Sequence, residues 1–574
     1  MTTSELTSQR PRRRLRRPSV QDVIAAAAAL LLIGAIAYPL IRTIAQAIFP
    51  QGTLDLGAFG TVAGAPYLGR MLGTTLLVVG VAAVFAILIA SVFAWLNERT
   101  NAHLGLIGEV LPLLPLLVPS VAVAIGWTFL GAPQVGFFNG LLSGTLGAIG
   151  IDFQVNVYSI PGLIFAYTME FIPYAYLVIA TALKNVDPAI EEAARMAGAS
   201  LVKTVFTVSL RAIAPAIAGA ALLLAVVGFS MYSLPVILAT PARIEILSVR
   251  IVQMLRFEYP PRVDEALVLS LFLMLAIGVT WWLQRRVVSA GRYSTIGGRG
   301  GGGAASRIDL GRWRFLARGG MILYLAVGAV LPILALFIVS LQPFWSATID
   351  PSVFTFKHYS GLWAQHTPIN ALRNSGLLGL VGGAATVLIA LAIAVFAQRH
   401  PGWIGRVIGG VTKVPAAIPT MVIAIGFLVA FSGPPFRLSG TVVILLLCYL
   451  VNFIPQASTI AEAAVAQVGG DLAEASAMSG ATDGRTFRRI QLPLMLPGLA
   501  NGWALIFVLI VGDIIISALL AGIGNPVVGS FILDIWDQGT YGTLAALASL
   551  VCVMTITVVA VMMRLSRPRY KRMR

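Results

Sequence analysis

Residues 167–198 read YTMEFIPYAYLVIATALKNVDPAIEEAARMAG, and residues 449–480 read YLVNFIPQASTIAEAAVAQVGGDLAEASAMSG. Both stretches join an apolar segment containing Phe-Ile-Pro to a short polar segment that ends in glycine, and one offset of 282 residues (449 minus 167) aligns them. In each copy nine residues follow the glycine, and then comes Val208-Ser-Leu210 or Ile490-Gln-Leu492. A long pattern that recurs with constant spacing predicts a chain made of two related halves.

The polar part of each copy predicts a short helix, a glycine turn and a second short helix outside the membrane. Asp187 before Pro188 is a favourable helix start, and Gly198 permits the positive φ that ends many helices. Small or apolar residues share one face of each first helix: Ile190, Ala193, Ala194 and Ala197, and then Leu472, Ala475, Ser476 and Ser479. Such a face is typical of a helix that fits a groove on a partner protein.

The composition predicts an all-α membrane protein. Of the 574 residues 58% are hydrophobic and 11% charged, whereas soluble proteins carry about a quarter charged residues. Twelve apolar stretches are long enough to cross a bilayer, which predicts two parallel six-helix repeats over residues 23–284 and 319–563. The stretches lie near 23–46, 71–96, 106–131, 158–183, 213–238, 265–284, 319–341, 374–397, 407–431, 439–464, 497–521 and 544–563.

The net charge of +17 is concentrated at three places. Basic residues cluster in the tail 1–22, in the Gly- and Arg-rich linker 285–318, and in the tail 564–574, each next to an apolar stretch. The positive-inside rule places all three in the cytoplasm, so both termini are predicted to be cytoplasmic. Aromatic residues are not interleaved with these arginines, which argues against nucleic-acid binding. The first apolar run is longer than a usual signal peptide and is predicted to be a retained helix.

Several kinds of chemistry find little support in the sequence. A Gly-Lys pair does not occur, so this chain cannot supply a P-loop for ATP, and no cofactor is predicted for it. The four histidines are scattered without the spacing of metal ligands, and the two cysteines lie in apolar runs. The sequence therefore predicts neither a catalytic centre nor a metal site.

Four residues are candidates for a transport pathway. Glu170 and Asp513 are ionisable residues inside apolar stretches, where charge is costly and commonly functional. Pro119 and Pro419, related by an offset of 300, interrupt the third and ninth stretches, as broken helices do in transporters. There are alternatives to a role in transport. The two acids could bond to neighbouring helix backbones, and the prolines could only kink the helices and so aid packing. Phe229 is the residue of the first half aligned with Asp513.

The two polar segments resemble the EAA signature of binding-protein-dependent ABC importer permeases: Glu-Ala-Ala, three residues, Gly, nine residues, Ile-x-Leu-Pro. The resemblance implies the type I importer permease fold and a coupling helix that docks on a separate ATPase subunit. Carried over, the docking residues are Glu192, Ala193, Ala194 and Gly198 for one subunit, and Glu474, Ala475 and Gly480 for the other. The first copy departs from the pattern with Arg211 in place of proline, and the second with Ser476 in place of the last alanine.

Two permease halves in one chain resemble the fused type found among importers of ferric iron, 2-aminoethylphosphonate, thiamine and polyamines. The linker, with Gly-Arg-Tyr-Ser-Thr and Asp309-Leu-Gly-Arg-Trp313, resembles that of fused permeases assigned to ferric iron, which implies this cargo. The charged and aromatic loops 257–265 and 536–541 would receive a periplasmic binding protein, or else are ordinary solvated loops. Membrane lipid is the remaining partner, and the bacterial inner membrane the expected location. An alternative class is a secondary transporter of the major facilitator type, but the loop after the second stretch lacks that family's motif.

Overall fold

The structure is a computed structural model, and it describes residues 20–50, 52–104, 115, 118–145, 149–150, 153–290, 308–400, 402–468, 472, 475–476 and 478–565. Over these residues the chain is helical, and its β-structure is limited to isolated bridges. Nine of the described helices are long and apolar enough to cross a membrane, and a bent pair, Val205–Ala212 with Ala214–Ser230, makes a tenth. The predicted all-α membrane fold is confirmed.

The main helices of the first half are numbered in chain order. They are α1 (Val20–Ile48), α2 (Pro66–Arg99), α3 (Ser120–Gly131), α4 (Ile160–Lys184), α5 (Pro188–Met196), α6 (Ala214–Ser230), α7 (Ser233–Leu238), α8 (Leu247–Arg256) and α9 (Val263–Ala290).

The helices of the second half are numbered on from these. They are α10 (Trp313–Leu341), α11 (His366–Arg399), α12 (Trp403–Val411), α13 (Thr420–Phe431), α14 (Val442–Gln467), α15 (Gly484–Val511), α16 (Ile515–Leu520), α17 (Val528–Gln538) and α18 (Tyr541–Leu565). Single π-helical turns interrupt α10, α11 and α15 without ending them.

The third and ninth predicted spans are broken rather than continuous. Helices α3 and α13 each have twelve residues and begin immediately after Pro119 and Pro419. Twelve helical residues extend about 18 Å, less than the roughly 30 Å of a hydrocarbon core. Proline has no N–H for a helical hydrogen bond, so each proline marks the point at which the helix starts afresh. Residues 106–114, where the third span was predicted to begin, lie outside the described residues.

The first helix of each half packs on the other half. Helix α1 lies against α13 and α11, and α10 lies against α3. A Cβ atom placed on Gly126 of α3 would lie 2.4 Å from the main-chain oxygen of Pro332 in α10. The equivalent Gly426 of α13 faces Pro39 of α1, with a Cβ-to-Cβ distance of 3.1 Å. Glycine at both positions therefore lets α10 approach α3 and α1 approach α13 closely. These contacts hold the two halves together.

The described end of the predicted linker is bound to the first half. Ile308 exchanges main-chain hydrogen bonds with Arg99 and Asn101, and the Asp309 carboxylate accepts a hydrogen bond from the side chain of Asn101. Arg318 donates to the main-chain oxygen of Asn101 at 3.0 Å. Helices α9 and α10 extend into both ends of the predicted linker 285–318, while its glycine run lies outside the described residues. The outermost tails, 1–19 and 566–574, lie outside them as well.

Candidate functional site

The first EAA segment folds as the predicted short helix and glycine turn. Asp187 caps α5 by accepting a hydrogen bond from the Ala189 N–H at 2.9 Å. Gly198 follows the helix with φ +88°, and the space where its Cβ atom would lie is open. Glycine is therefore required here by the left-handed backbone and not by packing.

The second EAA segment has the same turn. Gly480 has φ +77°, and the Ala481 N–H bonds the Ser476 oxygen at 3.2 Å, as the Ala199 N–H bonds the Ala194 oxygen at 3.0 Å in the first segment. Glu474 lies outside the described residues, whereas Ala475 is described and exposed. The two segments, which we call the coupling loops, thus share one turn geometry at the same end of the helix bundle.

Each coupling loop presents an apolar ridge. Ile190 is 54% exposed and Met196 91%, and their equivalents Leu472 and Met478 are 47% and 90% exposed. Flexible, polarisable methionine is well suited to an adaptable protein interface. The two loops thus present exposed apolar side chains at equivalent positions.

Of the residues on the predicted face, Ala193, Ala197 and Ala475 are exposed, whereas Ser476 is buried. Ser476 is 8% exposed, because its hydroxyl lies 2.8 Å from the hydroxyl of Thr486. Its equivalent Ala194 is half-buried. The departure from the motif therefore serves an internal hydrogen bond of the second coupling loop.

The first coupling loop is held by a buried ion pair that the sequence did not reveal. Arg99 Nε lies 3.2 Å from Glu191 Oε1, which also accepts a hydrogen bond from Ser209 at 2.9 Å. Arg99 Nη2 donates to the main-chain oxygens of Leu183 and Val186 at 2.9 and 2.7 Å. The end of α2 thereby fixes both the end of α4 and the coupling helix α5. We call this cluster the Arg99 clamp.

The helices that leave the two coupling loops differ. Both begin with one α-helical turn, Leu201–Thr204 or Asp483–Thr486, and continue with an equivalent π-helical turn, Val205–Ser209 or Phe487–Gln491. The first then bends by 64° before α6, whereas α15 continues as one span from Gly484 to Val511. Arg211 lies just before the bend, and its equivalent Pro493 lies inside α15, just after the π-helical turn.

Three of the four predicted pathway residues lie along one line of contacts at the centre of the bundle. Ser120, the first residue of α3, donates a hydrogen bond of 2.6 Å to Glu170 Oε1 in the middle of α4. Pro119 precedes Ser120 and faces Gly512, where a Cβ atom would lie 3.1 Å from the Pro119 Cβ. Asp513 is the next residue, so this line joins the two halves. Pro419 occupies the equivalent place at the start of α13.

Asp513 is bonded mainly to backbone. Its Oδ2 accepts hydrogen bonds from the N–H groups of Ile516 and Ser517, at 2.8 and 3.3 Å, and so caps the short helix α16. The residue that occupies its place in the first half is Met231, because α7 starts two residues after Met231 and α16 two residues after Asp513. The alignment with Phe229 was therefore wrong, and the offset of 282 that aligns the two EAA segments also pairs Asp513 with Met231 (513 minus 282).

At the end of the bundle opposite the coupling loops, charged residues connect equivalent helices of the halves. Arg256 at the end of α8 lies 2.5 Å from Asp534 in α17. Glu258, in the predicted docking segment 257–265, pairs with Arg250 and Arg262, while Tyr259 is 98% exposed. A cavity of about 660 Å³ opens nearby; its aromatic lining includes Tyr158, Phe344, Trp345, His358 and Tyr541. Among the described residues no group of three or more His, Cys, Asp or Glu side chains is placed to hold a metal ion.

Known proteins resemble this chain over most of its length. It is 22% identical to the ferric transport system permease protein FbpB of Actinobacillus pleuropneumoniae over 521 residues, 89% of this chain and 73% of that one. It is 26% identical to the putative 2-aminoethylphosphonate transport system permease protein PhnV of Salmonella paratyphi A, over 41% of this chain and 88% of that one. Among solved structures, a bacterial ABC transporter that imports alginate aligns with a TM-score of 0.37 at 20% identity, over 48% of this chain and 95% of that chain.

A family model matches each half separately. The model is described as a binding-protein-dependent transport system inner membrane component, and it matches residues 104–289 and 386–572. Each match contains one of the two coupling loops. This confirms the fused two-domain arrangement inferred from the repeat. The chain therefore belongs to the family of inner membrane components of binding-protein-dependent transport systems, as a fused permease with two family domains.

Proposed function

We propose that this ABC importer permease moves ferric iron, delivered by a periplasmic binding protein, and that two separate ATPase subunits drive it by docking on the coupling loops. The observation that carries the docking proposal is the pairing of Met196 and Met478, equally exposed beside the left-handed glycines Gly198 and Gly480. Two like surfaces at one end of the bundle suit two copies of one subunit. Glu192, Ala193, Glu474 and Ala475 belong to the same docking surfaces.

The orientation follows from the coupling loops and the charge pattern together. ATP is available in the cytoplasm, so the coupling loops face the cytoplasm in this proposal. The basic residues at both termini then lie on that side too, in agreement with the positive-inside rule. Residues 257–265 and 536–541, at the opposite end, would meet the binding protein outside.

Ferric iron is the proposed cargo because the match to a ferric permease extends over both halves, whereas the match to the 2-aminoethylphosphonate permease covers less than half of this chain. 2-Aminoethylphosphonate remains the second candidate, followed by thiamine and polyamines. Family membership disfavours secondary transport of the major facilitator type.

Docking is tested by co-purification of the permease with its ATPase. Met196→Glu combined with Met478→Glu places a charge on each apolar ridge, and Glu192→Ala combined with Glu474→Ala tests the EAA acids. We expect both double variants to lose ATPase binding and ATP-driven uptake. The matched control is Ile349→Glu, an exposed apolar residue (48%) at the opposite end. Unchanged ATPase binding in both double variants would show that the coupling loops are not the docking site.

The cargo is tested with the complex in proteoliposomes, supplied with ATP inside and with the binding protein outside. Labelled ferric iron and labelled 2-aminoethylphosphonate are offered in separate experiments. ATP-dependent accumulation of iron alone supports the proposal, and accumulation of the phosphonate alone replaces it.

A further inference from the structure

We infer that Glu170, together with the Ser120 hydroxyl, forms a subsite for an oxygen-preferring metal cation in the interior of the bundle; the inference rests on the proposed import of such a cation. The site lies at the start of the broken helix α3, next to the contact between the halves.

The carboxylate lies deep in the membrane-spanning region. Glu170 is separated by ten residues from the start of α4 at Ile160 and by fourteen from its end at Lys184, which corresponds to about 15 Å and about 21 Å. Ser120 reaches it because α3 starts at that depth, directly after Pro119. The break in the third span thus brings the hydroxyl of the first residue of α3 to the carboxylate.

The charge of Glu170 is not compensated by a basic residue in the described part of the chain. Its hydrogen bond there comes from Ser120, and none of the ion pairs of the described residues includes it. By contrast, the buried Glu191 is paired with Arg99. An intramembrane carboxylate without a basic partner is costly and marks a place where a cation or a proton is bound in function.

The surrounding polar groups offer oxygen atoms. Tyr174 follows Glu170 by one helical turn on α4 and so places a phenol on the same side of that helix. Carboxylate, hydroxyl and phenol oxygens suit a hard cation, whereas a soft metal would require sulfur ligands. A site with few ligands and a single charge also binds a cation weakly, so the cation can pass on rather than stay tightly bound.

The second half shows that the fold does not need this charge. Asn452 takes the place of Glu170 in α14, and Thr420 takes the place of Ser120 at the start of α13. Asn452 is 9% exposed, so a neutral amide satisfies the same packing position. Asp513, the other candidate acid, is already occupied as the cap of α16. Of the two acids, Glu170 is the one that remains for the cargo.

The experiment compares Glu170→Gln, Glu170→Asp and the wild type, all in complex with the ATPase. Thr168→Val is the matched control, since Thr168 is buried in the same helix and its hydroxyl bonds only the Ile164 oxygen of that helix among the described residues. Binding of terbium, a trivalent oxygen-preferring probe, is followed by luminescence sensitised by nearby aromatic residues. Iron uptake is measured separately in proteoliposomes.

We expect Glu170→Gln to lose the luminescence of one terbium site and to lower iron uptake about tenfold or more, the size expected for removal of a charged partner in a buried contact. Glu170→Asp should keep part of both signals, and Thr168→Val should keep both. ATPase binding should be unchanged in all variants.

Two results separate the subsite from the cargo. Terbium binding and iron uptake equal to wild type in Glu170→Gln would overturn the subsite. If the wild type takes up no iron while Glu170→Gln still loses the terbium signal, the subsite stands and the proposed cargo is wrong.

Discussion

Arg99 Nε and Glu191 Oε1 lie 3.2 Å apart, and both side chains are almost fully buried, at 9% and 6% exposure. The same guanidinium bonds two main-chain oxygens at the end of α4. One side chain therefore links α2, α4 and the coupling helix α5. If an ATPase docks on α5 as proposed, this clamp connects the docked helix directly to two membrane-spanning helices.

We expect Glu191→Gln to destabilise the protein by about 3–5 kcal/mol, because a buried arginine loses its charged partner. Arg99→Lys should behave similarly, since an ammonium group lacks the planar fork that contacts Glu191 and the two oxygens at once. Thermal unfolding gives the stability, and iron uptake per ATP hydrolysed gives the coupling, which should fall.

The control for the clamp is Lys413→Ala. Lys413 and Glu462 form an ion pair of 2.9 Å, but their side chains are 57% and 41% exposed, and exposed pairs contribute about 0–1 kcal/mol. If Glu191→Gln lowers thermal stability and coupling no more than Lys413→Ala does, the clamp contributes nothing to either.

The clamp also shows where reasoning from the sequence stops. Gly198 and Gly480 were predictable because a helix followed by glycine is a local signal with one geometric meaning. Arg99 precedes Glu191 by 92 residues, and local sequence does not indicate that the two meet. Likewise, the sequence located the interrupting prolines Pro119 and Pro419, but the contact of Pro119 with Gly512 depends on how the halves pack.

Gly126 and Gly426 predict unequal effects of the same substitution. Gly126→Ala brings a methyl group to 2.4 Å from the rigid backbone of Pro332, and overpacking of this kind costs about 1–3 kcal/mol or more. Gly426→Ala meets Pro39 and Thr43 at 3.1 Å, so a small shift relieves it, and we expect less than about 1 kcal/mol. Thermal unfolding of the purified permease measures both.

The matched control is Gly73→Ala, in the interior of α2 with open space around it. Alanine in a helix interior is favoured over glycine by about 0.5–1 kcal/mol, so this variant should be slightly more stable than wild type. Equal destabilisation by Gly126→Ala and Gly426→Ala would contradict the difference in packing between the two crossings.

Asp534 and Asp537 predict a dependence of stability on pH at the end opposite the coupling loops, outside the membrane-spanning helices. Burial raises the pKa of both carboxyls, Arg256 opposes the rise, and repulsion by Asp534 adds to it at Asp537. The folded chain therefore holds these protons more tightly than the unfolded chain. Their contribution to stability is fully present below the ordinary pKa of aspartate, about 3.9, and is lost as the pH rises through the raised pKa.

The measurement is thermal unfolding between about pH 4 and about pH 7. Asp534→Asn combined with Asp537→Asn should flatten the loss of stability with rising pH. Asp350→Asn is a control of opposite sign, because hydrogen bonds from Ser352 lower the pKa of Asp350 and its contribution is lost as the pH falls. An unchanged slope in the double variant would show that these carboxyls are not the titrating groups.

The two coupling loops should bind their ATPase subunits with unequal strength. The Arg99 clamp fixes α5 before docking, whereas the described anchor of the second loop is the hydroxyl pair of Ser476 and Thr486, 2.8 Å apart. A preorganised surface loses less conformational entropy on binding and so binds more tightly. We therefore expect the subunit on the second loop to dissociate first when the complex is diluted.

Native mass spectrometry of single variants tests this order. Met478→Glu should leave complexes with one ATPase subunit, held on the stronger first loop, whereas Met196→Glu removes the stronger contact and should leave mostly free permease at the same concentration. Ser476→Ala, which deletes the hydroxyl anchor but keeps Met478 exposed, should weaken only the second contact. Equal one-subunit populations for Met196→Glu and Met478→Glu would show that the clamp does not preorganise docking, because two independent, equally strong loops produce that symmetry.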